Sequence, residues 1–255
     1  MNSRSKYRLT GIIIYFAVWN IMGCSKVVPP ANIPYSSPSP SPTLPASSIS
    51  PAAKINAAKL RQLGLQYRQQ GRYSEAIASL EKATLLEPQN LSGQVLLGWT
   101  LHIAGKETPA IEVLKQVLEK DANYILALNA LGIVYLVSGN LSAAVTTHER
   151  ARKLKNDNEI AYYNLTLAYH RLGQYDLAIA RGKQATVLEP ANPHPWVALA
   201  LVYWEQGTKK QAQKTYNRAV QLDSRYRQSA FLSNLKQAGF SSEQIETTRK
   251  ILDNI

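Results

Sequence analysis

The sequence predicts an all-α protein: five stacked helical hairpins, closed by C-terminal capping helices and preceded by an export signal and a disordered linker. Three columns predict it. Gly71, Gly105, Gly139, Gly173 and Gly207 lie 34 residues apart. So do Ala76, Ala110, Ala144, Ala178 and Ala212. So do Leu63, Leu97, Leu131, Leu165 and Leu199, without one insertion. A fixed period of this length marks repeated supersecondary units that bury their apolar faces by stacking.

Composition sets the outer bounds. The chain has 255 residues, 45% hydrophobic and 18% charged, as globular chains do. That excludes collagen, a wholly disordered chain and a polytopic membrane protein. A lone cysteine, Cys24, excludes an intrachain disulfide and a cysteine-rich zinc site. A net charge of +12 admits anionic partners.

The elements follow in chain order. Residues 1–8 carry Arg4, Lys6 and Arg8 and no acid, and Leu9–Gly23 is an apolar run of 15 residues. That run is short of the roughly 20 a membrane-spanning helix needs, so residues 1–23 read as a secretory signal peptide. The basic end stays cytoplasmic and the rest is exported. Ile21-Met22-Gly23-Cys24 resembles the lipobox of bacterial lipoproteins, with Met22 standing where a small residue is usual. The resemblance implies acylation of Cys24 and a membrane-anchored chain facing the periplasm or exterior of a cell envelope. A retained signal anchor is the alternative. Residues 24–53 are then a lipidated cysteine followed by a linker. Eight prolines and eight serines without an acid leave residues 25–53 unable to form a core.

Residues 54–226 hold the repeats. From Leu63 to Tyr67 is one helical face. Gly64, Gly98, Gly132, Thr166 and Ala200 keep the neighbouring column small, so a second helix approaches closely. The glycines of the invariant column stand between the two helices, where a left-handed residue is required. Pro88 and Pro190 stop second helices. Ser50-Pro51 caps the first helix.

These columns resemble the tetratricopeptide repeat, with copies at 57–90, 91–124, 125–158, 159–192 and 193–226. Gln94 departs at an aromatic slot, and His148 and Gly182 at a large-hydrophobe slot. The resemblance implies a right-handed α-solenoid whose first helices line a concave groove. One stripe of those helices has no duty within its own hairpin. It runs Arg61, Leu65, Arg68; Val95, Trp99, His102; Asn129, Ile133, Leu136; Tyr163, Leu167, His170; Val197, Leu201, Trp204. By resemblance this stripe faces a ligand. Apolar and aromatic surface with Arg at its edge is typical of interaction sites. The expected partner-binding residues are Arg61, Arg68, Trp99, His102, Asn129, Ile133, Tyr163, Leu167, His170 and Trp204. Ile133, Leu167 and Leu201 are as compatible with packing between repeats as with exposure. Trp99, Tyr163 and Trp204 carry too much ring for a narrow seam.

Residues 227–255 read as capping helices. Arg227–Ala238 forms one, ended by Gly239. Ser241 and Gln244 then form a capping box, Phe240 staples to Ile245, and a final helix runs to about Ile251. Its polar content suits a solenoid end facing water.

Little points to chemistry. No phosphate-loop or dinucleotide fingerprint occurs, and no pair among His102, His148, His170 and His194 has the i, i+4 spacing of a helical metal site. The expectation is a non-catalytic adaptor without cofactor, metal or small-molecule substrate. It would take a peptide or helix of a protein partner in the groove, and no nucleic acid. Two basic clusters on second helices offer an alternative, an anionic wall polymer or lipid. They are Arg150, Arg152, Lys153 and Lys155, and Lys209, Lys210, Lys214 and Arg218.

Overall fold

A computed structural model describes residues 49–255. The expected signal peptide, Cys24 and nearly all of the expected linker lie outside the described residues. Every regular element among those described is helical. Five hairpins follow one another: α1 (Pro51–Gln69) with α2 (Tyr73–Leu86), α3 (Leu91–Ile103) with α4 (Glu107–Lys120), α5 (Ile125–Val137) with α6 (Leu141–Leu154), α7 (Glu159–Arg171) with α8 (Tyr175–Leu188), and α9 (Pro193–Glu205) with α10 (Lys209–Leu222). Two 3-10 segments, Ser224–Arg227 and Ser229–Ala238, lead to α11 (Ser242–Leu252).

Local chemistry sets the boundaries. Ser50, Asn90, Asn158 and Asn192 each accept a backbone N–H at the start of a first helix. The turn glycines all adopt positive φ, from 70° at Gly173 to 90° at Gly207. Each second helix therefore reverses against its first at no steric cost.

The small column decides how closely the helices approach. A Cβ added at Gly64 or Gly98 would lie 2.7 or 2.8 Å from the Cγ of Leu80 or Leu114. His148 takes the same seat against Gly132. In the fourth repeat the two sizes are exchanged: Thr166 faces Gly182, so the small residue stands on the second helix instead. Gln94 is buried in its aromatic slot because its amide is satisfied. Its Nε2 donates to the Pro88 carbonyl (2.6 Å), and Lys120 Nζ donates to its Oε1 (3.2 Å).

First helices pack on first helices of the next repeat, α3 on α5, α5 on α7 and α7 on α9. They form the inner layer, and the second helices form the outer one. The C-terminal part departs from the expected terminal cap. Residues 229–238 are 3-10 rather than α. Side chains at i and i+3 eclipse in that geometry, which aligns Leu232, Leu235 and Ala238 on one edge. Leu232 and Leu235 are buried. Gly239 at φ 86° turns the chain into α11, whose Ser241–Gln244 capping box is formed.

Candidate functional site

The inner face divides into two parts. Over repeats three to five it is filled by the chain's own C-terminal segment. Leu136 of α5, Leu167 of α7 and Val197 and Leu201 of α9 are 0% exposed. They share one apolar cluster with Leu232, Leu235, Phe240, Ile245 and Ile251. Polar latches fix the register. Tyr163 donates its hydroxyl to the Ala238 carbonyl at 2.6 Å. Gln244 Nε2 donates to the Leu167 carbonyl at 3.2 Å and meets His170 Nδ1 at 3.0 Å. The Gln244 Oε1 accepts from Ser241 N–H, so the amide orientation is set and His170 Nδ1 acts as the acceptor. Burial pushes the His170 ring down to about 4, in keeping with a neutral imidazole there.

Over repeats one and two the stripe is open. Leu65, Arg68, Val95, Trp99 and His102 are half-buried. Trp99 lies against His102, ring centroids 5.1 Å apart. Burial lowers the pKa of His102 and of Arg68 alike. Arg61 differs: it forms a 2.6 Å ion pair with Glu87 and braces the first helix on the end of the second.

The expected site residues thus fall into separate groups. Trp99 and His102 are in ring contact on α3, and Arg68 is half-buried on α1. Tyr163, Leu167 and His170 stand together beneath the C-terminal segment. Asn129 is not a free donor for a ligand backbone. It is buried and exchanges both amide groups with Asn158, at 3.2 and 3.0 Å. Ile133 is buried at 9% exposure. Trp204 is half-buried, with Lys209 Nζ 3.7 Å above its ring. The sequence reasoning missed Gln244 as a groove residue, having assigned it only to a capping box. The signal was present: Phe240, Ile245 and Ile251 give the last helix an apolar face that a purely solvated cap would not carry.

Other features bear on chemistry. Among the described residues no group of three or more His, Cys, Asp or Glu is placed to hold a metal ion. An open depression of about 530 Å³ between α4, α5 and α6 is lined by aliphatic, hydroxyl and amide side chains and Tyr135, with Arg150 its charged group. His148 is fully buried on α6, and neither ring nitrogen finds a hydrogen-bond partner. Its desolvation pushes it down to about 3, with the Gly132 backbone offsetting only a little. Glu149 beside it bridges Arg152 (2.7 Å) and Arg181 (2.9 Å).

Comparison with known proteins gives the architecture its place. Models of the tetratricopeptide repeat match residues 57–90, 134–173, 167–207 and 193–226. Protein FlbA of Caulobacter vibrioides is 27% identical over 124 residues, 49% of this chain and 20% of FlbA. Human protein O-mannosyl-transferase TMTC1 is 23% identical over 167 residues, 64% of this chain and 19% of TMTC1. The chain thus spans about a fifth of the length of these relatives. Among solved structures, MamA aligns with a TM-score of 0.57 at 25% identity, over 67% of this chain and 93% of MamA. A thermophilic TPR protein of Thermus thermophilus aligns with a TM-score of 0.58 at 25% identity, over 71% of this chain and 98% of that one. MamA of Desulfovibrio magneticus shares the fold, with a TM-score of 0.61 at 21% identity over 69% and 98%. Periodic columns, glycine turns, hairpin packing and these likenesses agree: residues 57–90 and 134–226 match the tetratricopeptide repeat, and the five hairpins fold as a tetratricopeptide-repeat solenoid followed by C-terminal helical segments.

Proposed function

We propose that this protein is a non-catalytic adaptor of the bacterial cell envelope, tethered through Cys24, that captures a helical segment of a partner protein in its concave groove. One observation carries the groove reading. The inner face already holds a polypeptide segment, residues 229–255, through apolar burial and side-chain amide contacts. A surface that accepts one helix this way has the shape and chemistry for another. Tetratricopeptide repeats serve protein–protein interaction and scaffolding, and the matched repeats fit that use.

The test is capture by cross-linking of the native protein beside a Trp99→Ala variant. The expected result is loss of a partner with the helical spectrum unchanged. Capture that survives Trp99→Ala defeats the groove reading. For the anchor, Cys24→Ala is expected to abolish lipid labelling, and a labelled variant defeats that assignment.

A second reading keeps one supporting observation. Arg152 and Lys155 are engaged by Glu149 and by Asp157 and Glu159, but Lys210 and Lys214 are exposed on α10 without a carboxylate in ion-pair range among the described residues. Binding of anionic lipid or wall polymer there would fall steeply with salt. Flat salt dependence removes it.

A further inference from the structure

We propose that the exposed face of α10 that carries Lys210, Lys214 and Arg218 seats the solenoid on an anionic phospholipid bilayer. The proposal rests on the second reading above and commits that face to a membrane.

The charge on this face has no structural use. Residues 206–238 carry seven cations against one acid, Asp223, and Arg225 already holds that acid at 2.6 Å. Each of α2, α4, α6 and α8 contains a carboxylate, and α10 contains none. Lys210, Lys214 and Arg218 are spaced i, i+4 and i+8, so they lie along one side of the helix, and all are exposed. Like charges at that spacing repel. Lys209 and Lys210 also occupy the first turn, where the macrodipole disfavours cations. No carboxylate lies within ion-pair range of Lys210, Lys214 or Arg218 among the described residues. Arg218 meets a neutral amide, that of Gln221 at 3.3 Å. The cluster on α6 shows the contrast. Arg152 and Lys153 stand in its last turn, where the macrodipole favours them, and Glu149 holds Arg152 at 2.7 Å. α10 thus breaks two local rules with no compensating contact inside the chain, and such breaches mark function.

The rings beside the cations select a bilayer. Lys209 Nζ lies 3.7 Å from the Trp204 ring centroid, the Arg218 guanidinium 5.9 Å from that of Trp196, and the Arg225 guanidinium 4.7 Å from that of Phe231. All three rings are half-buried. A polyanion in water calls for charge alone. A lipid interface also takes amphipathic rings at headgroup depth, with cations reaching the phosphates. Strength points the same way. Each cation at an anionic surface gains about fivefold in partition, so three gain roughly a hundredfold. That is weak for a free domain. It suffices for one anchored through Cys24, as proposed above, at an effective concentration on the order of millimolar.

The test is amine acetylation of the full chain, read lysine by lysine by mass spectrometry, on vesicles of phosphatidylcholine with and without about 30% phosphatidylglycerol. Anchoring is common to both vesicles, so the comparison isolates lipid charge. Lys59, Lys82 and Lys115, exposed on α1, α2 and α4, are internal controls. Phosphatidylglycerol is expected to slow acetylation of Lys210 and Lys214 about fivefold relative to the controls. Salt at about 1 M is expected to restore it, because the Debye length is then about 3 Å. Arg218→Glu, a change at an exposed position, is expected to cut the protection severalfold. Equal slowing at the controls, or protection that survives high salt, overturns the proposal. A soluble polyphosphate separates the sources. Protection by polyphosphate and not by the vesicles overturns the proposal and leaves the second reading standing for a polymer. Protection by neither removes both.

Discussion

His148→Leu is expected to make the solenoid more stable and less sensitive to acid. The histidine occupies the seat that Leu80 and Leu114 occupy in the first two repeats, each facing a glycine of the partner helix. Leucine therefore fits the seat and removes two buried ring nitrogens that lack partners. At neutral pH that change is worth about 1 kcal/mol or more. The larger effect is in the pH dependence. Burial holds the folded-state value at about 3, against an ordinary value of 6.5. The unfolded chain therefore binds a proton that the folded chain refuses. Stability from this group is intact above pH 6.5 and is lost progressively as pH falls toward 3. Linkage makes that loss about 2 kcal/mol between pH 7 and pH 5, and about 5 kcal/mol in the acid limit. Urea unfolding followed by circular dichroism at those two pH values, at matched ionic strength, measures it. The variant should shed about 2 kcal/mol of the loss and keep the remainder, since His170 is also held low, at about 4. An equal drop in wild type and variant would refute the assignment of the acid sensitivity to His148. A variant less stable at both pH values would refute the shared seat.

Other perturbations test the packing and the filled groove. Gly98→Ala sets a Cβ 2.8 Å from Leu114 Cγ and is expected to destabilise by about 1–3 kcal/mol in urea unfolding; a neutral result would mean that the hairpin opens freely. Truncation after Gln228 bares Leu136, Leu167 and Leu201, so binding of an apolar dye should rise sharply while the helical spectrum of the repeats persists, and unchanged dye binding would count against the tail contact. Tyr163→Phe removes the hydroxyl bond to Ala238 and is expected to cost about 1 kcal/mol and to speed proteolysis of residues 229–255. Glu149 is burdened by its partial burial, but the Arg152 hydrogen bond and the Arg181 charge outweigh this and lower its pKa. Its stabilising contribution is present above the ordinary carboxylate range and is lost as pH falls through the lowered value, so Glu149→Gln should flatten the melting temperature specifically in that acid window.

The solenoid was legible because each hairpin is specified locally and the specification repeats. Glycine at the turn, a small residue beside Leu63 and its equivalents, and an alanine facing it each dictate one contact, and five copies make the pattern audible above variation. The departure in the fourth repeat, Gly182, proved to be compensated by Thr166 in the facing column, which reads as uniformly small in sequence; this is visible only when the columns are read as a facing pair. The capping box at Ser241 and Gln244 was legible for the same local reason. What the tail covers was not. Gln244 meets Leu167 and His170 more than seventy residues away along the chain, and no period links the tail to its seat. Asn129 misled in a similar way. Its slot faces the groove, but its amide is claimed by Asn158, at the start of the next hairpin.

The seated tail also alters how the chain comes apart. A solenoid of nearest-neighbour contacts unfolds by fraying from its ends, one hairpin at a time. Bonds joining residues 75 and 77 positions apart, Tyr163 to Ala238 and Gln244 to Leu167, break that rule. They bind α5, α7, α9 and α11 into one cooperative block that includes no residue of α1 to α4. Native-state hydrogen exchange should therefore resolve two foldons, with the amides of α7 and α9 released only together with those of α11. The N-terminal pair of hairpins, which carries the open groove, would be the part free to open and close on its own.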